Sequence, residues 1–401
     1  MVNALTSSAS RLGDLLAESV DDAKAREVRR LADVAGDRVD RLVLVGAGGL
    51  GRRTLAGLRE KGIEPLAFAD NNEACWGSVV DGLKVLSPEE AASRYGREAT
   101  FVVTIWGAGS PHRFEHSRAQ LHALGAEVVA PVAWLGWRHP DRLLPHYAMN
   151  LPSRLIAQAS AVTEAFDLLA DEASQAEFVA QVQWRLSGDP GCLSHPVAGT
   201  QYLVDDVYAP MDDEVVLDCG AYDGDTLTAW LAVRGPSFAR YIAMEPDPVS
   251  RVKLNSLLGT LPAAVAEKVT VLPYAAAAHA GTAVFSATGT ASSSLGNSDE
   301  GLTVACARID DVVTEVGGHA PSFVKMDIEG AELAALAGAR NLLRDEQPVL
   351  ALSAYHHQDH LWRVLLVVAA IQPDYRFFLR PHNEEGWDLV LYAVPPTRHL
   401  A

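Results

Sequence analysis

Residues 215–226 read V-V-L-D-C-G-A-Y-D-G-D-T. An apolar run ends in an acid, turns through glycines and enters a helix. Two later runs end the same way: Tyr241–Met244 leads to Glu245, and Phe323–Met326 leads to Asp327. Apolar strands separated by helix-length segments and ending in carboxylates predict an open, mostly parallel α/β sheet. Its acids would line the carboxyl edge, where such sheets bind ligands.

With 401 residues, two domains are expected. Hydrophobic content of 49% and charged content of 21% suit a globular chain. A net charge of −18 and the lack of a Lys/Arg-rich run argue against nucleic acid as a partner. The first residues show no basic segment followed by an apolar one, and no apolar run reaches about 18 residues. Neither a signal peptide nor a membrane partner is expected. Cys75, Cys192, Cys219 and Cys306 lie far apart without a C-x-x-C pair, so reduced thiols in a cytoplasmic protein are expected.

Residues 1–40 read as an N-terminal helical segment, with Leu12, Leu15, Leu16, Val28 and Leu31 near helical spacing. Residues 41–135 alternate strands and helices and predict a Rossmann-like domain. Its strands are Leu42–Val45, Pro65–Ala69, Phe101–Ile105 and Glu127–Ala130, and Ser87-Pro88-Glu89-Glu90 starts a helix. Residues 136–212 read as a helical bridge, whose helical stretch Leu155–Leu186 ends at the turn cluster Ser187–Gly191. Residues 213–401 form the second α/β domain. Its strands are Val215–Cys219, Tyr241–Met244, Val269–Leu272, Phe323–Met326 and Val349–Leu352, with Tyr375–Leu379 and Leu389–Ala393 as an antiparallel edge hairpin.

The chemistry at the second sheet suits S-adenosylmethionine (SAM). Gly220 and Gly224 let backbone come close to a ligand. Amides at the helix start can hold its carboxylate. Asp218 can accept from its amine and Glu245 from its ribose hydroxyls. The expected cofactor-binding set is Asp218, Gly220, Tyr222, Gly224, Asp225, Thr226, Glu245, Asp247, Ala275 and Asp327. An acid that only caps a tight turn is the competing reading. Asp327 should border the transferring methyl. His356 is the expected base because imidazole titrates near neutral pH, with Asp359 able to orient a histidine. A surface-loop reading of His356, His357 and His360 stays open. Asp327, Glu329 and His356 are legitimate divalent-metal ligands, but D-x-E alone is weak, and no metal is expected. Cys219 reads as a small buried residue, and Trp230, Trp362 and Trp387 as core or pocket wall.

K-M-D-I-E-G-A-E at Lys325–Glu332 resembles the signature of the FkbM-type SAM-dependent methyltransferases. The D-C-G-A-Y-D-G-D-T loop, Ile309-Asp310-Asp311 and the segments between Tyr355 and Tyr392 resemble that family too. The resemblance implies a seven-stranded class I methyltransferase sheet. It also implies methyl transfer to a hydroxyl of a small molecule or sugar. The family's I-E-x-H variant is replaced here by Leu352-Ser353-Ala354-Tyr355-His356, which opens the identity of the base.

In the first sheet, Gly46, Gly48 and Gly51 fit G-x-G-x-x-G, and Asp70 ends the next strand. No Tyr-x-x-x-Lys dyad follows. The stretch is similar to the Rossmann-like N-terminal domains of sugar-nucleotide-modifying enzymes, which implies a nucleotide-sugar at residues 46–70. A degenerate module kept for packing is the alternative. The expectation is two Rossmann-like domains that together form a SAM-dependent O-methyltransferase, with a small-molecule or sugar acceptor that is free or nucleotide- or carrier-linked. Its rivals are a nucleotide-sugar-binding NAD-dependent oxidoreductase and a non-catalytic SAM- or nucleotide-sensing protein. Self-association is compatible with the sequence.

Overall fold

The computed structural model describes residues 7–107, 112–286, 294–295 and 302–400. The strands of the first sheet are β1 Leu42–Val45, β2 Ala67–Ala69, β3 Val79–Val80, β4 Leu83–Leu86, β5 Thr100–Val103 and β6 Val128–Pro131. They lie in the order β3-β4-β2-β1-β5-β6. All pairings are parallel except β3 with β4. Leu42 and Leu44 face one core and Val43 and Val45 the other, so a four-residue apolar run fills both faces.

The second sheet is built from β7 Val215–Cys219, β8 Arg240–Met244 and β9 Val269–Leu272. A separate small sheet follows: β10 Tyr274–Ala276, β11 Gly281–Ser286, β12 Ser294–Leu295 and β13 Leu302–Ala307. The chain then returns through β14 Phe323–Met326, β15 Val349–Ser353, β16 Arg376–Pro381 and β17 Leu389–Val394. The large sheet runs β16-β17-β15-β14-β7-β8-β9. β17 is antiparallel to both neighbours, as the missing helix between the last two runs predicts. The seven-stranded class I sheet is present, and the two-sheet α/β class holds.

The bridge contains the helices Pro152–Ile156, Ala159–Asp167 and Glu172–Ser187. The last packs along β16, where Ser174 Oγ accepts the Leu379 amide at 2.9 Å. Gly188 ends this helix in the left-handed region at φ 70°, as the turn cluster predicts. The helices Ser8–Leu16 and Val20–Ala35 join both halves. Leu12 and Ala23 belong to the second domain's core and Leu31 to the first domain's. Val28, read as part of the apolar stripe, is exposed, while Glu27 is buried and accepts the Ser153 amide. No helix among the described residues is long and apolar enough to cross a membrane.

The first domain shows why its glycines matter. A Cβ on Gly51 would stand 2.0 Å from the Gly46 carbonyl oxygen, so the helix Gly49–Glu60 starts hard against the β1 turn. Gly51→Ala is expected to destabilise the protein by about 1–3 kcal/mol through this overlap, read as a lower denaturation midpoint. An unchanged midpoint would contradict the close crossing.

Candidate active site

The site begins with a lysine inside a buried strand. Lys325 on β14 is in register with Asp218 on β7. Its Nζ lies 3.0 Å from Asp218 Oδ1 and donates to the Gly220 carbonyl at 2.7 Å. Tyr241 donates its hydroxyl to Asp218 Oδ2 at 2.7 Å. Burial alone would lower the lysine's pKa, but the facing Asp218, Asp327 and Asp225 carboxylates more than reverse it. Asp218 is fully buried with Lys325 and Tyr241 against its two oxygens, so it braces the loop from behind.

Gly220 has φ 83°, and a Cβ there would stand 2.0 Å from the Asp327 carbonyl oxygen. Glycine is needed where the two loops cross, a constraint set by the chain itself. Gly224, at φ 92°, is tight against Leu254 and Leu257 of the helix Pro248–Leu258, not against the ligand edge. It is the N-cap of the helix Asp225–Arg234 and provides no side-chain cap. Asp225 Oδ1 accepts the Thr226 amide at 2.7 Å.

Glu245 ties two loops together. Its carboxylate accepts the Tyr222 amide at 2.8 Å and the Asp247 amide at 2.7 Å. Burial raises its pKa to about 7 against these bonds. Tyr222 is held at φ 45°, strain of the kind that gathers at functional loops. Asp247 caps the next helix through the Val249 amide at 2.8 Å. Ala275, expected near the cofactor, packs instead with Val304 and Cys306 in the small sheet, because the chain changes sheets after Leu272. The same wiring occurs in the first sheet, where Asp70 accepts the Ala47 and Asn72 amides, each at 2.8 Å.

Asp327, after β14, accepts the Tyr202 hydroxyl at 2.7 Å. His356, after β15, lies beside it with Nε2 3.2 Å from Asp327 Oδ1. Its Nδ1 is 2.8 Å from Glu332 Oε1, whose other oxygen is 3.3 Å from His360 Nδ1. Burial would push the His356 pKa down, but Glu332 and Asp327 hold it well above the usual value. His356 is therefore not a free surface imidazole: it is buried between acids. Burial would raise Asp327, yet His356, Lys325 and Tyr202 keep it below the normal carboxylate range. Burial lifts Glu329 to about 7. Asp359 pairs with Arg363 at 2.6 Å; Glu332, unassigned from sequence, is the residue that orients both histidines.

An aromatic wall borders this cluster. Trp387 lies 4.7 Å from both Trp106 and Tyr147, centroid to centroid, and 5.7 Å from Tyr355. Trp106 follows β5 of the first sheet, so the carboxyl edges of the two sheets meet here. Of the other tryptophans singled out, Trp230 and Trp362 are core. A cleft of about 410 Å³ lies nearby, lined by Arg154 and Gln158 of the bridge and by Gly330, His357 and His360. Asp310 of the Ile309-Asp310-Asp311 motif caps a helix through the Asn341 and Leu342 amides.

Residues 218–379 match the family model of the methyltransferase FkbM domain. The C-terminal half carries an FkbM methyltransferase domain. Methyltransferase FkbM from Methylobacillus flagellatus KT, a crystal structure, aligns with 96% of this chain and 100% of its own, at 24% identity and TM-score 0.76. That likeness shows a shared fold that extends over both sheets. The methyltransferase domain of bacterial CtHen1, at 11% identity and TM-score 0.29 over 47% of this chain and 91% of its own, is too distant to add to this. No curated protein matches the chain.

Within the methyltransferase domain the buried pair is the most exposed to mutation. Lys325→Met leaves Asp218 charged and unpaired, and is expected to cost about 3–5 kcal/mol. Adding Asp218→Asn should recover part of that loss. A single variant with wild-type chemical denaturation would contradict the pairing.

Proposed function

We propose that the methyltransferase domain uses SAM to methylate a hydroxyl of a small molecule or sugar. The observation that carries this reading is the meeting of the Glu245-tied loop and the Asp327 cluster across Gly220. Glu245 retains lone pairs for ribose hydroxyls beyond its two amide bonds. The first turn of the helix Asp225–Arg234, without a side-chain cap, suits the methionyl carboxylate. Asp327 then stands between the methyl donor and the acceptor.

Methyl transfer is an in-line displacement that needs the acceptor oxygen about 3 Å from the methyl. Asp327, Glu329 and His356 form the polar floor for that oxygen, and Tyr147, Tyr355 and Trp387 wall one side of it. The cleft edged by exposed Arg154 favours an acceptor that bears phosphate, as a nucleotide- or carrier-linked sugar would. The loop wired by Asp70 and the aromatic contact through Trp106 favour the first sheet as the holder of that nucleotide.

Calorimetry with S-adenosylhomocysteine tests the cofactor half of this proposal. Wild type should bind, and Glu245→Ala should lose about 1.5–3 kcal/mol, the scale of charged hydrogen bonds. Unchanged affinity would remove Glu245 from the site.

A further inference from the structure

We propose that Asp327, Glu329 and His356 form a divalent-cation site that grips the acceptor oxygen. Its catalytic role rests on the methyl-transfer reading above, but its existence does not. The side chain of His356 is 1% exposed. Glu332 is fully buried behind it, anchored by the Ile328 amide at 3.0 Å and facing Nδ1. A histidine that gives its Nδ1 proton to a carboxylate presents the Nε2 lone pair on its far side, the arrangement found behind metal-bound histidines.

That far side holds Asp327 and Glu329, with the Tyr355 hydroxyl 3.4 Å from Asp327 Oδ1 and Tyr147 bonded to Glu329. Nε2 is 3.2 Å from Asp327 Oδ1 and 3.9 Å from Glu329 Oε2, and it has no hydrogen-bond partner among the described residues. Lone pairs that converge in this way require a positive centre between them. Bonds of about 2.0–2.2 Å to one ion place two ligand atoms up to about 4.4 Å apart, which spans both Nε2 distances. The side chains of Asp327 and Glu329 are 24% and 15% exposed, while Glu332 is at 0%, so an ion enters from the acceptor side and Glu332 stays behind the histidine. One imidazole nitrogen with two carboxylate oxygens suits a first-row divalent ion such as Mn²⁺ better than Ca²⁺.

Such an ion would bind the acceptor hydroxyl and lower its pKa. The O–H bond breaks and the proton leaves to solvent water. The oxygen then bonds to the methyl carbon as the carbon–sulfur bond breaks, and its electron pair returns to the sulfonium to give a thioether. No free histidine base is needed, in keeping with the locked His356.

The test is MnCl₂ titration of EDTA-stripped full-length protein, followed by calorimetry and electron paramagnetic resonance. One Mn²⁺ per chain is expected, with Asp327→Asn and Glu329→Gln each weakening binding at least tenfold at wild-type circular dichroism. If the wild type binds no Mn²⁺, a proton on Nε2 is the positive centre and the cation site is wrong. Undiminished binding in both variants also overturns it. S-adenosylhomocysteine binding is measured on the same stripped protein. A protein that binds the analogue but takes up no Mn²⁺ sinks the cation site and leaves the methyl-transfer reading standing; one that takes up Mn²⁺ but never binds the analogue keeps the site and removes its role.

Discussion

One buried ammonium holds the ligand edge together. A lysine in the middle of a parallel sheet is costly to desolvate, and Lys325 is tolerated because Asp218 faces it in register and the Gly220 carbonyl accepts from it. The pair therefore does more than offset its own desolvation. It draws the turn after β7 onto the turn after β14, so closely that only glycine fits at position 220. The carboxylates that face a ligand then take their places in consequence. Asp327 follows Lys325 by two residues, and Glu245 ties down the same glycine turn from the β8 side.

The two sheets solve this problem with one design. In each, the acid after the second strand accepts an amide from the first turn and another from its own loop, through Asp70 in one and Glu245 in the other. The difference lies in the neighbouring strand. The first sheet offers Thr104, whose hydroxyl bonds the Val45 and Gly46 carbonyls, where the second offers the ionised cluster of Asp327, Glu332 and His356. Charge capable of acting on a substrate is concentrated in the methyltransferase domain. The first domain supplies a loop, an edge and Trp106.

Much of this was readable from residue order, for identifiable reasons. Strands buried on both faces read as largely apolar runs, so β1, β7 and β14 match their expected limits. The small sheet was missed because its alanine-rich β10 carries no alternation of apolar and polar residues. Glu332 is not legible in the sequence because an acid at a helix start reads as a cap, and its contact with His356 is 24 residues away. Asp359 stands next to the histidines in sequence, but Arg363 one turn on is its partner. Lys325 leaves a signal that the motif reading does not use: a lone charge in a buried strand calls for an acid on the next, and Asp218 stands there.

The central claim is that ligand chemistry is organised around Gly220, between Glu245 and Asp327. Hydrogen–deuterium exchange with and without S-adenosylhomocysteine tests it most directly, because amides report their own location. The account predicts slower exchange concentrated at residues 219–226, 245–249 and 327–332, with residues 46–51 unaffected. Protection confined to residues 46–51, with the Glu245 and Asp327 loops unchanged, would contradict it.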